Sequence, residues 1–187
     1  MKIIGIIGAI ASGKSTVCDI LYNKFGVENF DVDEINKNLL SNENVVFKVM
    51  DYFSDIALIN NKLDTKYLRA RIINSTKDRI FMENLMFPLI IKELEERISS
   101  SSKNNIIIQS AVVWKELILL FDKRILVKTT KELQLKRLLS RDKMSLEDSE
   151  NIINIQKDFQ YDFDMEVDNF HEIDKLKLKL FKLKSFF

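Results

Sequence analysis

Several residue types are scarce in this sequence of 187 residues, and each shortage excludes a class of protein. The single cysteine, Cys18, cannot form an internal disulfide, which excludes a disulfide-stapled secreted scaffold. The single histidine, His171, cannot form a cluster of histidine metal ligands. Polar residues interrupt every apolar run well before the roughly 20 residues that a membrane-spanning helix needs. With no signal-peptide pattern at Met1, we expect a soluble, cytoplasmic protein without a membrane partner.

An excess of charge of either sign is also lacking. The 29 Lys and Arg residues face 28 Asp and Glu residues, so the formal net charge is +1. No global field then attracts nucleic acid, and any anion must be bound by a local site. The length fits a single domain. We expect no nucleic-acid partner, and a monomer or a small homo-oligomer.

Glycine is scarce as well, but its distribution is informative. Of four glycines, Gly5, Gly8 and Gly13 fall within the first thirteen residues. The stretch from Gly8 to Ser15 satisfies G-x-x-x-x-G-K-[ST], between an isoleucine-rich predicted strand (2–7) and a predicted helix that begins at Lys14. This context predicts a phosphate-binding loop; a mere helix start is the alternative.

The chemistry of this loop assigns roles to its residues. Backbone amides and the positive end of the helix dipole favour phosphate oxygens. We predict that Lys14 reaches the β and γ phosphates of ATP and that the Ser15 hydroxyl binds Mg²⁺. The predicted ATP-binding residues are Gly8, Ala9, Ile10, Ala11, Ser12, Gly13, Lys14, Ser15 and Thr16.

The rest of the chain alternates short apolar runs with helical patterns, which predicts an α/β fold with a mostly parallel sheet. Strands are expected at 27–32, 106–109 and 124–128, and helices at 114–121, 131–142 and from Ser145. Residues 34–102 show helical periodicity without a convincing strand, and Pro88 interrupts it. The tail 175–184 fits a strand or a helix, and we favour a helix.

An acidic pair follows the second predicted strand, which in doubly wound folds lies beside the first. Phosphoryl transfer needs a carboxylate that accepts the acceptor's proton or orders the metal's water shell. Asp33 is the candidate, and Asp31 is the fallback. A helix cap is an equally good interpretation of Asp33.

At this point the residues resemble the dephospho-coenzyme A kinase family over nearly the whole chain. Besides the loop, the segments that carry the resemblance are Phe-Asp-Val-Asp at 30–33, Leu-Arg-Ala-Arg-Ile-Ile at 68–73, Glu-Asn-Leu-Met-Phe-Pro-Leu-Ile at 83–90, Gln-Leu-Lys-Arg at 134–137, Arg-Asp at 141–142 and Val-Asp-Asn at 167–169. The resemblance implies a P-loop kinase-like three-layer sandwich with a five-stranded sheet.

The resemblance also implies an activity and a division of the single domain. The reaction would transfer the ATP γ phosphate, with Mg²⁺, to the ribose 3′-hydroxyl of dephospho-coenzyme A, the final step of coenzyme A biosynthesis. The implied catalytic residues are Asp33 as general base, Lys14, Arg137 and Arg141, and the implied acceptor-binding residues are Asp33, Arg69, Phe87 and Trp114. The core would span about 1–60 and 103–187, the acceptor-binding lobe 61–102 and the lid 138–160.

Several positions depart from the family pattern. Phe87 stands where the family usually has histidine, the segment 111–115 ends in Lys115 instead of glutamate, and the usual arginine shortly after Gln156 is missing. Two alternatives therefore stay open. One is another small-molecule or nucleotide kinase, and the other is a nucleotide-binding protein whose kinase site has decayed.

Overall fold

A computed structural model describes residues 1–60, 62–157, 162–170 and 173–187 of the chain. The strands are β1 (Lys2–Ile7), β2 (Glu28–Asp31), β3 (Leu58–Ile59), β4 (Lys62–Leu63), β5 (Asn105–Ser110), β6 (Lys123–Lys128) and β7 (Met165–Asp168). The helices are α1 (Lys14–Phe25), α2 (Val32–Leu39), α3 (Glu43–Tyr52), α4 (Thr65–Asn74), α5 (Thr76–Ser100), α6 (Lys115–Leu119), α7 (Lys131–Ser140), α8 (Leu146–Lys157) and α9 (Ile173–Phe181), followed by a 3₁₀ helix at Lys182–Phe186.

The described residues group into two compact units, one formed by 1–32 with 97–187 and the other by 33–96. The first unit contains a five-stranded sheet in the order β2-β5-β1-β6-β7, and every neighbouring pair is parallel. The expected mostly parallel, five-stranded sheet is confirmed. The functional division into core, acceptor-binding lobe and lid is a separate matter, and it stays a prediction.

The strand order corrects one expectation. The second strand does not lie beside the first, because β5 pairs with both β1 and β2 and separates them. Local sequence patterns can identify a strand but carry no information on neighbours that are far apart in the chain. The carboxyl ends of β2, β5 and β1 still meet at one edge of the sheet, since all three strands are parallel.

The core of the first unit packs the sheet against α1 and α9. Ile4 and Ile6 of β1 are fully buried and belong to one apolar cluster with Val17 and Leu21 of α1 and Leu180 of α9. β1 is buried along its length after Ile3, as expected for a central parallel strand covered on both faces. Burial of each such side chain stabilises the fold by about 1.5–3 kcal/mol.

Helix α1 ends as its sequence predicts. Gly26 adopts a left-handed conformation with φ of 63°, and its N–H donates to the Tyr22 carbonyl. Glycine adopts this conformation without the steric cost that a side chain adds.

The tail 175–184 is helical, which confirms the interpretation that we favoured over a strand.

Two expectations for the segment 34–102 were wrong. It contains a small antiparallel pair, β3 with β4, whose strands of two residues each are too short to show a period-two pattern. Pro88 lies inside α5 instead of interrupting it. Proline lacks the N–H of a helical hydrogen bond, but the buried stripe Met82, Met86, Ile90 and Leu94 continues past it and stabilises the helix by packing.

A charged network lies inside the unit 33–96. Asp78 is only 4% exposed and accepts hydrogen bonds from Arg71 Nε at 2.7 Å and from the Tyr52 hydroxyl at 3.2 Å. The Tyr52 ring stacks on Phe81, with the ring centroids 3.7 Å apart, and the Arg71 guanidinium lies over the Phe53 ring. Asp78 on α5 thus joins α3 and α4 through hydrogen bonds.

This network predicts how the free energy of unfolding depends on pH. The Arg71 guanidinium holds the pKa of Asp78 below its ordinary value. A carboxyl with a depressed folded-state pKa stabilises the fold above its unfolded-state pKa, and the contribution is lost as pH falls through the folded-state pKa. We expect Asp78→Asn to lower stability at pH 7 and to flatten its decline in acid, as measured by urea unfolding across acidic pH. The exposed Asp51 on α3 gives the control, Asp51→Asn, and equal effects of both variants would contradict the role of Asp78.

Candidate functional site

The glycine-rich loop begins where β1 ends, at the carboxyl edge of the sheet. Ile7, the last residue of β1, pairs with Ser110 of β5 on one side and with Leu126 of β6 on the other. The loop then runs into α1, whose first residue is Lys14. This is the strand, loop and helix order that the motif requires.

Lys14 binds the first part of the loop by hydrogen bonds to two of its carbonyl groups. Its side chain is only 8% exposed, and its Nζ donates to the carbonyl oxygens of Gly8 at 2.9 Å and Ala9 at 3.0 Å. The Ser12 amide also donates to the Ala9 carbonyl, at 3.2 Å. The ammonium group is therefore held against the loop that the sequence predicts to bind phosphate.

Side chains from distant parts of the chain bind the other loop carbonyls. Gln134 Nε2 donates to the Ile10 carbonyl at 2.8 Å, and Arg137 Nη1 donates to the Ala11 carbonyl at 2.8 Å. Asn169 Nδ2 donates to the carbonyls of Ser12 and Gly13, at 3.0 and 3.3 Å. In a trans peptide the C=O and the N–H point in opposite directions. Carbonyls bound from outside the loop therefore turn the amides that follow them toward its concave side, where an anion is favoured.

Ser12 carries a further signal for a ligand. Its side chain is 1% exposed, and its Oγ has no hydrogen-bond partner among the described residues. A buried hydroxyl without a partner costs free energy, so native structures seldom leave one unbonded. A phosphate oxygen in the loop would satisfy this requirement.

A cleft of about 300 Å³ adjoins the loop. Its lining consists of Gly13, Ser15, Thr16, Arg137, Arg141, Asn169, Ile173 and Leu176. Burial, and next the like charge of Arg141, lowers the pKa of Arg137. The cleft thus presents two guanidinium groups, of which Arg141 also pairs with Asp142, and paired arginines are typical of a site for a phosphorylated ligand.

The remaining predicted residues lie on identifiable elements. Asp33 is exposed in the first turn of α2, Arg69 is exposed on α4, and Phe87 is half-buried on α5, all within the unit 33–96. Trp114 is half-buried immediately before α6 in the other unit. The predicted lid ends at residues 158–160, and these, like His171, lie outside the described residues.

Three residues of the site had no predicted role: Gln134, Gln156 and Asn169. All three are buried amides that contact the loop. The available signal was an amide on the apolar face of a helix, since Gln134 lies one turn before the buried Leu138 on α7. A buried amide needs hydrogen-bond partners, and here the loop backbone provides them.

The close approach of the loop to β6 predicts a contrast between two glycine variants. A Cβ at Gly8 would overlap the backbone carbonyl oxygen of Val127, whereas a Cβ at Gly26 would meet no heavy atom within 4 Å. We expect Gly26→Ala to cost about 1 kcal/mol through its left-handed backbone. Gly8→Ala should cost at least about 2–3 kcal/mol and abolish ATP binding, as measured by denaturant unfolding and calorimetry. Equal stabilities of the two variants would contradict this packing.

Comparison with known proteins agrees with this geometry. The family model described as dephospho-CoA kinase matches residues 2–164. The dephospho-CoA kinase of Prochlorococcus marinus subsp. pastoris is 31% identical, with 84% of this chain and 80% of that protein covered. The dephospho-CoA kinase structure from Campylobacter jejuni aligns with a TM-score of 0.64 at 28% identity, over 99% of this chain and 96% of that one. A shikimate kinase from Acinetobacter baumannii shares only the fold, with a TM-score of 0.57 at 16% identity over 98% and 92% of the two chains. The chain thus belongs to the dephospho-CoA kinase family.

Proposed function

We propose that this protein transfers the γ phosphate of ATP to the ribose 3′-hydroxyl of dephospho-coenzyme A. The observation that carries the proposal is the loop 8–13, in which Gln134, Arg137 and Asn169 bind the carbonyls of residues 10–13 from outside, so that the amides that follow these carbonyls turn toward an anion. Family membership supports the choice of reaction and of acceptor.

The donor would occupy the loop and the adjoining cleft. The loop amides and Lys14 would hold the β and γ phosphates, and the Ser12 hydroxyl would gain the partner that it lacks. The cleft would take the ribose and the base, with Ile173 and Leu176 as its apolar wall. Both arginines at this cleft already have partners, because Arg137 binds the Ala11 carbonyl and Arg141 pairs with the carboxylate of Asp142.

Mg²⁺ fits the donor side of this site. Ser15 is exposed in the first turn of α1 and lines the same cleft, and a hydroxyl oxygen is a suitable ligand for a hard cation. When bound, Mg²⁺ would supply positive charge that offsets the charge developing on the phosphates during transfer. Ser15 would hold the metal from the protein side.

The acceptor needs a base, and Asp33 is the proposed one. In the step, the acceptor oxygen forms a bond to the γ phosphorus, the bond from that phosphorus to the leaving oxygen of ADP breaks, and the hydroxyl proton passes to the Asp33 carboxylate. Asp33 follows the carboxyl end of β2 by two residues. Asp31 stays the fallback, and its Oδ2 accepts a hydrogen bond from Gln109 Nε2 at 2.9 Å.

Arg69, Phe87 and Trp114 are the proposed acceptor-binding residues. The substitution of Phe87 for the usual histidine, together with the altered segment 111–115, favours one second candidate, a kinase for another small hydroxylated or nucleotide acceptor. The proposed location is the cytoplasm, where the single, buried thiol of Cys18 would stay reduced. Among the described residues, no helix combines the length and the apolar character needed to cross a membrane.

Turnover with defined acceptors tests the proposal. Purified protein with ATP, Mg²⁺ and dephospho-coenzyme A should form coenzyme A and ADP in equal amounts, as quantified by chromatography. Nucleosides, nucleotides and shikimate serve as control acceptors, because they present hydroxyl groups without the rest of dephospho-coenzyme A. Faster turnover of one of these would establish the second candidate. ATP binding without turnover of any acceptor would indicate a decayed kinase site.

The base assignment has its own test. Asp33→Asn removes the proton acceptor but keeps the size of the side chain, so we expect kcat to fall by about 10²- to 10⁴-fold. Affinity for ATP, measured by calorimetry, should stay unchanged. Asp31→Asn is the matched control two residues away and should lower kcat far less. The reverse order of the two losses would transfer the role to Asp31.

A further inference from the structure

We propose that Gln134 and Gln156, from two different helices, act together as one clamp on Ile10 and are positioning residues for phosphate binding. This inference rests on the proposed function, since it concerns how the loop is kept ready for the triphosphate of ATP. Neither glutamine belongs to the glycine-rich motif. Each contacts the loop by a side-chain amide that is almost completely buried, with 8% of Gln134 and 6% of Gln156 exposed.

The two glutamines bind opposite ends of the same residue. Gln156 Oε1, on α8, accepts from the Ile10 amide at 2.6 Å. Gln134 Nε2, on α7, donates to the Ile10 carbonyl at 2.8 Å. The orientations of both peptide groups that flank Ile10 are therefore set by side chains more than 120 positions away in the chain. Since α7 and α8 also pack on each other, the two contacts come from one helical pair.

The next residue explains why a clamp is needed. Ala11 has a φ of 56°, which is a left-handed conformation that costs a non-glycine residue about 1–2 kcal/mol. Its carbonyl accepts from Arg137, and its side chain lies in a small apolar cluster with Leu138 and Ile153. The contacts of Ile10 on one side, and of the Ala11 carbonyl on the other, thus hold Ala11 in its unfavourable backbone conformation.

Relaxation of Ala11 would harm phosphate binding directly. A return to negative φ requires rotation of the peptide between Ile10 and Ala11, which would swing the Ile10 carbonyl away from Gln134. If that peptide flipped, a carbonyl oxygen would face the phosphates in place of an amide. Partial negative charge would then oppose the ligand's charge in a buried setting, where such interactions are strong.

Gln156 also extends the clamp beyond the loop. Its Nε2 donates to the carbonyl of Ala111 at 3.3 Å, immediately after β5. Ala111 begins the segment that leads to Trp114, a proposed acceptor-binding residue. The same side chain thus connects the donor loop to the start of that segment within one compact unit.

Methionine variants test the clamp, because methionine keeps the approximate length of glutamine and cannot replace its amide. We expect Gln134→Met and Gln156→Met each to weaken ATP binding by about fivefold to tenfold, the usual worth of one hydrogen bond. If the two act as one device, the double variant should lose less than the product of the single losses. The measurement is the Kd of ATP by calorimetry, with inorganic tripolyphosphate as a second probe that contacts the loop alone.

Ser149→Ala is the matched control. Ser149 is fully buried on α8, and its hydroxyl donates to the Ser145 carbonyl within the same helix end, so its loss removes a buried hydrogen bond without touching the loop. This variant should lose stability in urea unfolding but keep ATP affinity. In turnover assays, Gln134→Met should raise KM for ATP and leave KM for the acceptor nearly unchanged.

The outcomes separate failure of the clamp from failure of the proposed function. An unmodified chain that binds no ATP would overturn the proposed function itself. An unmodified chain that binds ATP, with glutamine variants matching it or matching the Ser149→Ala control, would overturn only the clamp. Fully multiplicative losses in the double variant would also overturn it. Should the double variant fail to fold, hydrogen exchange of the Ile10 amide decides, since Gln156→Met must accelerate it beyond the Ser149→Ala control.

Discussion

The structure of the site depends on one constraint, the outward orientation of the loop carbonyls of residues 10–13. Gln134, Arg137 and Asn169 bind these carbonyls, while Lys14 binds those of Gly8 and Ala9. Each bond has a local effect, since it fixes one peptide plane. Together the bonds also have an electrostatic effect, because the amides that follow the bound carbonyls then point toward the same side of the loop. A flexible glycine loop would lose this alignment to conformational entropy, whereas bound carbonyls maintain it before a ligand arrives.

This constraint is long-range, although the motif that signals it is short. The partners of Ile10, Ala11 and Ser12 lie between 124 and 157 positions further along the chain. The loop therefore reaches its binding conformation only once β7, α7 and α8 have assembled around it. Closing loops of such length carries an entropic cost that a local turn does not have, and the core of β1, α1 and α9 must offset it.

The difference between local and long-range information explains what the sequence predicts and what it does not. The strand 2–7, the loop and α1 are predictable, because their signals lie in neighbouring residues. These signals are the isoleucine run, the glycine spacing and the glycine at the helix end, Gly26. The insertion of β5 between β1 and β2 is not, since strand order depends on contacts between distant segments. Gln134 and Gln156 were overlooked for the same reason. Their partners are backbone atoms, and backbone atoms leave no pattern in a sequence.

The two sides of the proposed reaction differ in how they respond to substitution. The donor side uses mainly peptide groups, so it tolerates Ala9, Ile10 and Ala11 at the variable positions of the motif as long as the carbonyls stay bound. The proposed acceptor side uses side chains. A substitution there, such as Phe87 in place of the family's usual histidine, directly alters the group that contacts the acceptor. Divergence at the proposed acceptor side therefore changes recognition more directly than divergence at the variable positions of the loop does. An intact donor site can persist while acceptor contacts change, because different atoms of the chain form the two surfaces.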